Sequence, residues 1–147
     1  MTDRTDNLAE LLRHASRALR RSTMALVEPF GLSVHQFHAL RFIAGRGGGE
    51  PDCAAPGPSP RISDIAGRMG MVTRSATDVV DQLERKAFVR RAQHPTDRRS
   101  TVVEATGHGL DVLAKVESGR VAHAQEFFGR LDLSEQDALA VLLRRLI

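Results

Sequence analysis

Between Arg61 and Gly109 the chain reads RISDIAGRMGMVTRSATDVVDQLERKAFVRRAQHPTDRRSTVVEATGHG, and inside that run the apolar spacing changes once, from helical to strand-like. Few folds accommodate such a change in so short a span. Two helical patterns come first. The earlier one is expected to start near Ser63, whose hydroxyl can accept from a free backbone N–H of the first turn, with Asp64 favoured at the positive end of the helix dipole. Ile65, Ala66 and Met69 share its apolar face, and Gly70 suits the left-handed residue that ends it. The second pattern runs from Thr73 to Lys86, with Ala76, Val79, Val80, Leu83 and Ala87 repeating at three and four as a core-facing stripe. Thr73, Arg74, Thr77, Asp78, Asp81 and Arg85 are left on its flanks and outer face.

After Ala87 the period shortens. Phe88 to Arg91 and Ser100 to Glu104 read as two strands, joined by HisProThrAspArgArg, where Pro95 fixes φ and Asp97 can bond nearby backbone N–H groups. A two-stranded hairpin is marginal alone, so Phe88 and Val102 are expected to hold it against the helices while its tip, carrying Arg98 and Arg99, projects into solvent. Arginines there gain most beside a phosphate or a narrow, negative minor groove. The order helix, turn, helix, hairpin is that of a winged helix.

The residues from Ile62 to Gly109 resemble the MarR (multiple antibiotic resistance regulator) family, above all in ValAspGlnLeuGluArgLys at the end of the second helix, AspArgArg at the wing tip and AlaThrGlyHisGly entering the next helix. The similarity extends over the whole chain, where the flanking helices occur in the order of that family and AspLeuSerGluGlnAsp near the C-terminus is typical of it. Three positions depart from the pattern. Asp78 stands where a basic or small polar residue is more common, Ala87 where glycine is usual, and Ala105 where leucine is common. Asp78 bears on function, because a carboxylate is repelled by phosphates and among bases can only accept, for example from a cytosine amino group.

The resemblance implies a mainly α fold with a small β-hairpin wing: a winged helix-turn-helix core over residues 61–108, dimerisation helices over 6–44 and 109–147, and a Gly/Pro-rich flexible loop over 45–60, all in one domain. The first helix is expected from about Asp6 to Glu28, with Leu8, Leu11, Leu12, Ala15, Leu19 and Leu26 on one stripe and Pro29 and Gly31 ending it. Ser33 should cap the next helix, where Phe37, Leu40 and Ile43 are core. Beyond the wing, Gly109 leads into a long helix interrupted by Gly119 at some cost in propensity. Asp132 or Ser134 caps the last helix, with Ser134 and Asp137 resembling a capping box. In that helix Leu139, Leu142, Leu143, Leu146 and Ile147 form an apolar face whose natural cover is a second copy of the chain.

Charge places the partner. The 147 residues hold 21 Lys plus Arg against 18 Asp plus Glu, a net +3. From Arg61 to Arg99 there are 9 basic and 5 acidic residues, a local +4, which leaves 12 basic and 13 acidic elsewhere, or −1. The excess therefore sits in the winged helix, as an electrostatic footprint should. Lys86 and Lys115 are the only lysines, so arginine, whose planar fork suits phosphate and guanine edges, carries the charge. Phe is the only aromatic residue, which leaves few stacking platforms for single strands and favours duplex DNA.

As a two-fold dimer the protein would set two reading helices about 34 Å apart, in consecutive major grooves of an inverted repeat. Arg74, Ser75 and Thr77 are assigned to the major groove and Thr73 to a phosphate at the helix N-terminus. Arg98 and Arg99 take the wing position, with Asp97 orienting one of them through a charge-assisted hydrogen bond. The resemblance further implies a small phenolic or aromatic acid effector held between the lobes of the dimer, and Arg17, His38 and Arg41 are its anion partners by placement.

Other functions find less support. There is no clustered nucleophile with a base, no paired carboxylates in a recognisable frame, and no glycine loop between strand and helix, since GlyArgGlyGlyGly follows a helix; an enzyme is not expected. His35 and His38 have metal-ligand spacing without an evident third ligand, and no metal or cofactor is expected. Cys53 lies beside Glu50 and Asp52, which disfavour a reactive thiolate. The chain shows no apolar run of membrane-spanning length and no signal-peptide h-region, so a cytoplasmic protein is expected. A winged helix that binds protein instead of DNA is the alternative, resting on Asp78 and Asp81.

Overall fold

The computed structural model describes residues 2–45 and 58–147. In chain order they form α1 (Thr2–Val27), a short 3-10 helix (Glu28–Phe30), α2 (Val34–Ile43), α3 (Ile62–Met69), α4 (Thr73–Arg85), β1 (Val89–Gln93), β2 (Thr101–Ala105), α5 (Gly107–Phe128) and α6 (Leu133–Arg144). This is a mainly helical chain with one antiparallel hairpin, as the sequence predicts. It divides into two compact units: Val27–Val116, and residues 1–26 with Glu117–Ile147. The divisions fall inside α1 and α5. Most of the Gly/Pro-rich stretch expected over residues 45–60, Cys53 included, lies outside the described residues. No described helix is long and apolar enough to cross a membrane.

The Val27–Val116 unit is the winged helix, and three chain reversals of one kind shape it. After the 3-10 helix, Gly31 (φ 65°) donates to the Glu28 carbonyl and Leu32 to that of Val27. After α3, Gly70 (φ 63°) donates to Gly67 and Met71 to Ala66. After α4, Ala87 donates to Glu84 and Phe88 to Leu83. Each is a left-handed residue closing paired bonds onto the last helical turn. Ala87 adopts φ 59° without the glycine that serves at the other two positions. It is therefore an exposed turn residue and leaves the core-facing stripe where the helical period placed it.

The helix starts follow their caps. Ser33 caps α2 as expected, its Oγ accepting from the Gln36 N–H while the Gln36 side chain accepts from the Ser33 N–H, each at 3.1 Å. At α3 the cap differs from expectation. The helix begins one residue before Ser63, and the Asp64 carboxylate accepts from the Arg61 N–H at 2.8 Å. An acid at the third helical position reaches back to the capping residue's N–H, a role closed to a hydroxyl already inside the first turn.

In the hairpin Val89 pairs with Ala105, Arg91 with Val103 and Gln93 with Thr101. The far edge of β2 is also used: the Val103 N–H donates to the Pro60 carbonyl at 2.8 Å, tying the wing to the start of α3. Phe37, Leu40, Ile65, Ala76, Val80, Leu83, Phe88, Val89, Val102, Val103 and Leu113 close the core.

The other unit looks different. Gly119 sits within α5 where a Cβ would come 2.5 Å from Leu26 Cδ2, so its propensity cost permits close passage of the end of α1. At α6 the capping box is Asp132 with Glu135, each side chain accepting the other's N–H at 2.9 Å. Ser134 and Asp137 do not form it, because both lie inside the helix that starts at Leu133. Every buried hydrophobic residue among those described falls between Val27 and Val116. The α1 stripe remains open at Leu8, Leu11 and Leu12, no residue of α6 is buried, and Val141, Leu142 and, beyond the end of that helix, Leu146 are exposed.

Candidate nucleic-acid interface

The outer face of α4 and the hairpin tip carry the residues assigned to DNA. Val72, at the N-cap of α4, provides no side-chain acceptor, so the first-turn backbone N–H groups of Thr73, Arg74 and Ser75 have no cap. A 13-residue helix with an uncapped, electropositive end is a natural phosphate seat. The side chains of Thr73, Arg74 and Ser75 are all exposed there. Thr77 is half-buried on a flank, and its Oγ1 donates to the Thr73 carbonyl at 3.0 Å, leaving the hydroxyl lone pairs outward as acceptors. Opposite the buried Ala76, Val80 and Leu83 lie Arg74, Asp78 and Arg85.

Two polar clusters fix how α4 is held, and sequence reasoning missed both. In the first, Arg91 of β1 reaches back to α4, donating to Asp81 Oδ1 at 2.5 Å and to Glu84 Oε2, while the Arg91 backbone N–H donates to Glu84 Oε1 at 3.2 Å. The hydrogen bond to Asp81, with the nearby Glu84 charge, holds the guanidinium pKa above its ordinary value. Strand alternation carried the signal. Arg91 shares the face of buried Val89, whereas Arg90 turns outward to Glu104 at 2.9 Å. Asp81 is thus engaged within the fold, which removes half of the argument for a protein-binding surface.

In the second cluster the buried Gln36 side chain donates to Gln82 Oε1 and accepts from Lys86 Nζ at 3.1 Å, and Lys86 also donates to the Gly31 carbonyl. The last turn of α4 is therefore anchored to the start of α2. Nothing in the sequence pairs residues 50 positions apart, and the near absence of lysine was the one hint at Lys86.

At the wing tip Arg98 and Arg99 are exposed, with no ion pair to other described residues. Asp97 does not orient either side chain. Its Oδ1 accepts from the Arg99 backbone N–H at 3.2 Å, which closes the turn, and its Oδ2 lies 3.6 Å from the Arg61 guanidinium. A short carboxylate in a tight turn reaches its own backbone more readily than a long side chain directed outward. His94 closes the same turn, its Nδ1 facing the Thr96 hydroxyl at 3.2 Å.

The residues assigned to an effector lie in separate units. Arg17 is exposed on α1 in one; His38, exposed, and Arg41, half-buried with its guanidinium carbon 6.0 Å from the Phe37 ring centre, are on α2 in the other. Among the described residues no group of three or more His, Cys, Asp or Glu side chains is placed to hold a metal.

The MarR family model matches residues 53–101, a span that contains α3, α4, β1 and the turn at the hairpin tip. Over 143 residues the chain is 27% identical to YkoM, an uncharacterized HTH-type transcriptional regulator of Bacillus subtilis, covering 97% of this chain and 86% of that protein. Its fold is similar to that of a MarR family protein from Bacillus stearothermophilus, with a TM-score of 0.80 at 20% identity, covering 99% of this chain and 95% of that one. It is also similar to the transcriptional repressor CouR, solved bound to a 23-mer DNA duplex, with a TM-score of 0.75 at 22% identity, covering 99% and 96% of the two chains.

Proposed function

This chain belongs to the MarR family, and on that premise we propose that it is a DNA-binding transcriptional regulator, a cytoplasmic repressor that works as a homodimer on an inverted-repeat operator. One observation carries the reading. The uncapped start of α4, with Arg74 and Ser75, and the wing tip, with Arg98 and Arg99, are exposed, and these three arginines make no ion pair with other described residues. Arg74, Ser75 and Thr77 take base edges in the major groove, Thr73 and the free N–H groups beside it take a phosphate, and Arg98 and Arg99 enter the adjacent minor groove. Asp97 serves by shaping the turn that presents them.

Dimerisation is supported by the uncovered leucines. A unit with no buried hydrophobic residue among those described cannot offset its own ordering entropy, and a second copy laid on α1 and α6 would supply the missing core. Regulation is proposed to act through the same dimer. A small phenolic or aromatic acid that shifts the separation of the two reading heads by a few Å would stop both half-sites from being engaged together. His38 and Arg41, which share α2, are the proposed contacts for its carboxylate or phenolate.

An anisotropy titration of the full chain against duplexes from the region upstream of its own coding sequence tests this. The expected result is tight, salt-sensitive binding to one duplex and weak binding to the rest. Equal affinity for all of them would leave a nonspecific DNA-binding protein, and no binding would favour the protein-interaction alternative.

A further inference from the structure

Resting on the proposed DNA-binding reading, we infer that Asp78 is a base-reading residue that accepts a hydrogen bond from the N4 amino group of a cytosine in each half-site. Asp78 is exposed on α4, directly opposite the buried Ala76, Val80 and Leu83, and so faces whatever the helix docks against. The other acids of the helix have work within the fold: Asp81 and Glu84 hold Arg91. Asp78 has no ion pair or side-chain hydrogen bond to another described residue. A carboxylate carried into the major groove in that state is repelled by the phosphates unless a base supplies a donor.

The groove offers two exocyclic amino groups. Adenine N6 stands beside the N7 acceptor, which repels a carboxylate, whereas cytosine N4 has no acceptor next to it on its own base. Cytosine is therefore the favoured partner. Its paired guanine presents O6 and N7, both acceptors, which suit a guanidinium. Arg74 lies one turn before Asp78 on the same face, four residues away, where side chains are neighbours. The two charges are thus arranged as an acceptor and a donor fork for the two sides of C·G pairs, the same pair or the next.

The test uses the full chain and a 30-bp duplex library with a randomised centre, selected first with the unsubstituted protein. The selected duplex is then measured by anisotropy with each half-site C·G changed to T·A, against the unsubstituted protein and Asp78→Ala. One change should weaken the unsubstituted protein about tenfold or more, and Asp78→Ala should bind both versions within about twofold while keeping its other base preferences. Asp78→Asn, an isostere that can accept or donate, should show an intermediate preference. Because Asp78 is exposed and has no partner among the described residues, thermal melts of the variants should match that of the unsubstituted protein.

If Asp78→Ala keeps the full cytosine preference, or tightens equally on every duplex, the carboxylate only repels backbone and the inference fails while the DNA-binding reading stands. If the unsubstituted protein selects no sequence at all, both fail together.

Discussion

Gly109, in the first turn of α5, passes so close to Phe88 that a Cβ on it would stand 2.1 Å from the Phe88 carbonyl oxygen. Thr106 locks the same junction. Its N–H donates to that carbonyl at 3.0 Å, its hydroxyl donates to the Ala87 carbonyl at 2.6 Å, and the same oxygen accepts from the Gly109 N–H at 3.0 Å. Backbone has no rotamer with which to yield. The Gly109→Ala substitution should therefore destabilise the protein by about 3 kcal/mol, at the upper end for overpacking, despite the gain of about 1 kcal/mol expected from helix propensity alone. Denaturant melts of the two proteins check this. Equal midpoints would show that α5 can move away from the wing freely.

Ala87 offers the opposite opportunity. It holds φ 59° at the same kind of reversal that Gly70 makes at φ 63°. An L-residue there costs about 1–2 kcal/mol, offset in part by the extra chain entropy that glycine loses on folding. Ala87→Gly should stabilise by about 0.5 kcal/mol and Gly70→Ala should destabilise by about 1 kcal/mol, both read as shifts in denaturant midpoint. The two substitutions moving in the same direction would refute the shared geometry.

These two glycine-type positions show what the sequence could and could not carry. Gly70 announces its turn because glycine is the residue for a positive φ, and the helices on either side follow from their spacing. Ala87 conceals the same turn, since alanine reads as a helix former at the next position of an apolar stripe. Ser33 and Asp132 cap their helices as expected, but two other serines mislead. Ser63 and Ser134 are good capping residues, yet Asp64 and the Asp132 and Glu135 pair decide where α3 and α6 begin. Exposure of Arg74, Arg98 and Arg99 was legible, because charged side chains opposite an apolar stripe or at a turn have nowhere else to go. The hold of Arg91 on Asp81 and of Lys86 on Gln36 was not, because side-chain pairs across elements depend on how the elements pack.

Arg91 should matter more for DNA reading than for stability. Its carboxylate partners are substantially exposed, so solvent screens the cluster, and Arg91→Met should cost no more than about 1 kcal/mol. Because the pKa of Arg91 is raised on folding, the stability linked to its charge is complete below the unfolded value of an arginine. It is lost only as pH climbs through the higher folded value. The difference in melting between the two proteins should thus stay constant from about pH 6 to 9 and shrink as salt is added. Affinity for the selected duplex should fall further than stability does, since wing and reading helix would no longer be held in one alignment. Unchanged affinity would show that the cluster positions neither.

On the proposed reading Arg99 would act on phosphate and groove potential, without base identity. Arg99→Ala should weaken binding to every duplex by a similar factor and lower the slope of log K against log salt by about one unit or less per subunit. A slope equal to that of the unsubstituted protein would take the wing out of the interface.

Leu142 and Leu146 are among the open apolar residues at the C-terminal end. Replacing both with Glu should weaken self-association by about 100-fold or more, since each interface would have to take up unpaired carboxylates. The melting temperature of the unsubstituted protein should rise with concentration, and that of the double variant should not. Identical sedimentation of the two proteins would place the dimer contact elsewhere.

The most direct test of the whole account is the stoichiometry of the complex. Sedimentation of the full chain with the duplex it binds from its own upstream region, in dilute buffer, should give two chains on one duplex containing an inverted repeat. A chain that stays monomeric at micromolar concentration and leaves every such duplex free would contradict it.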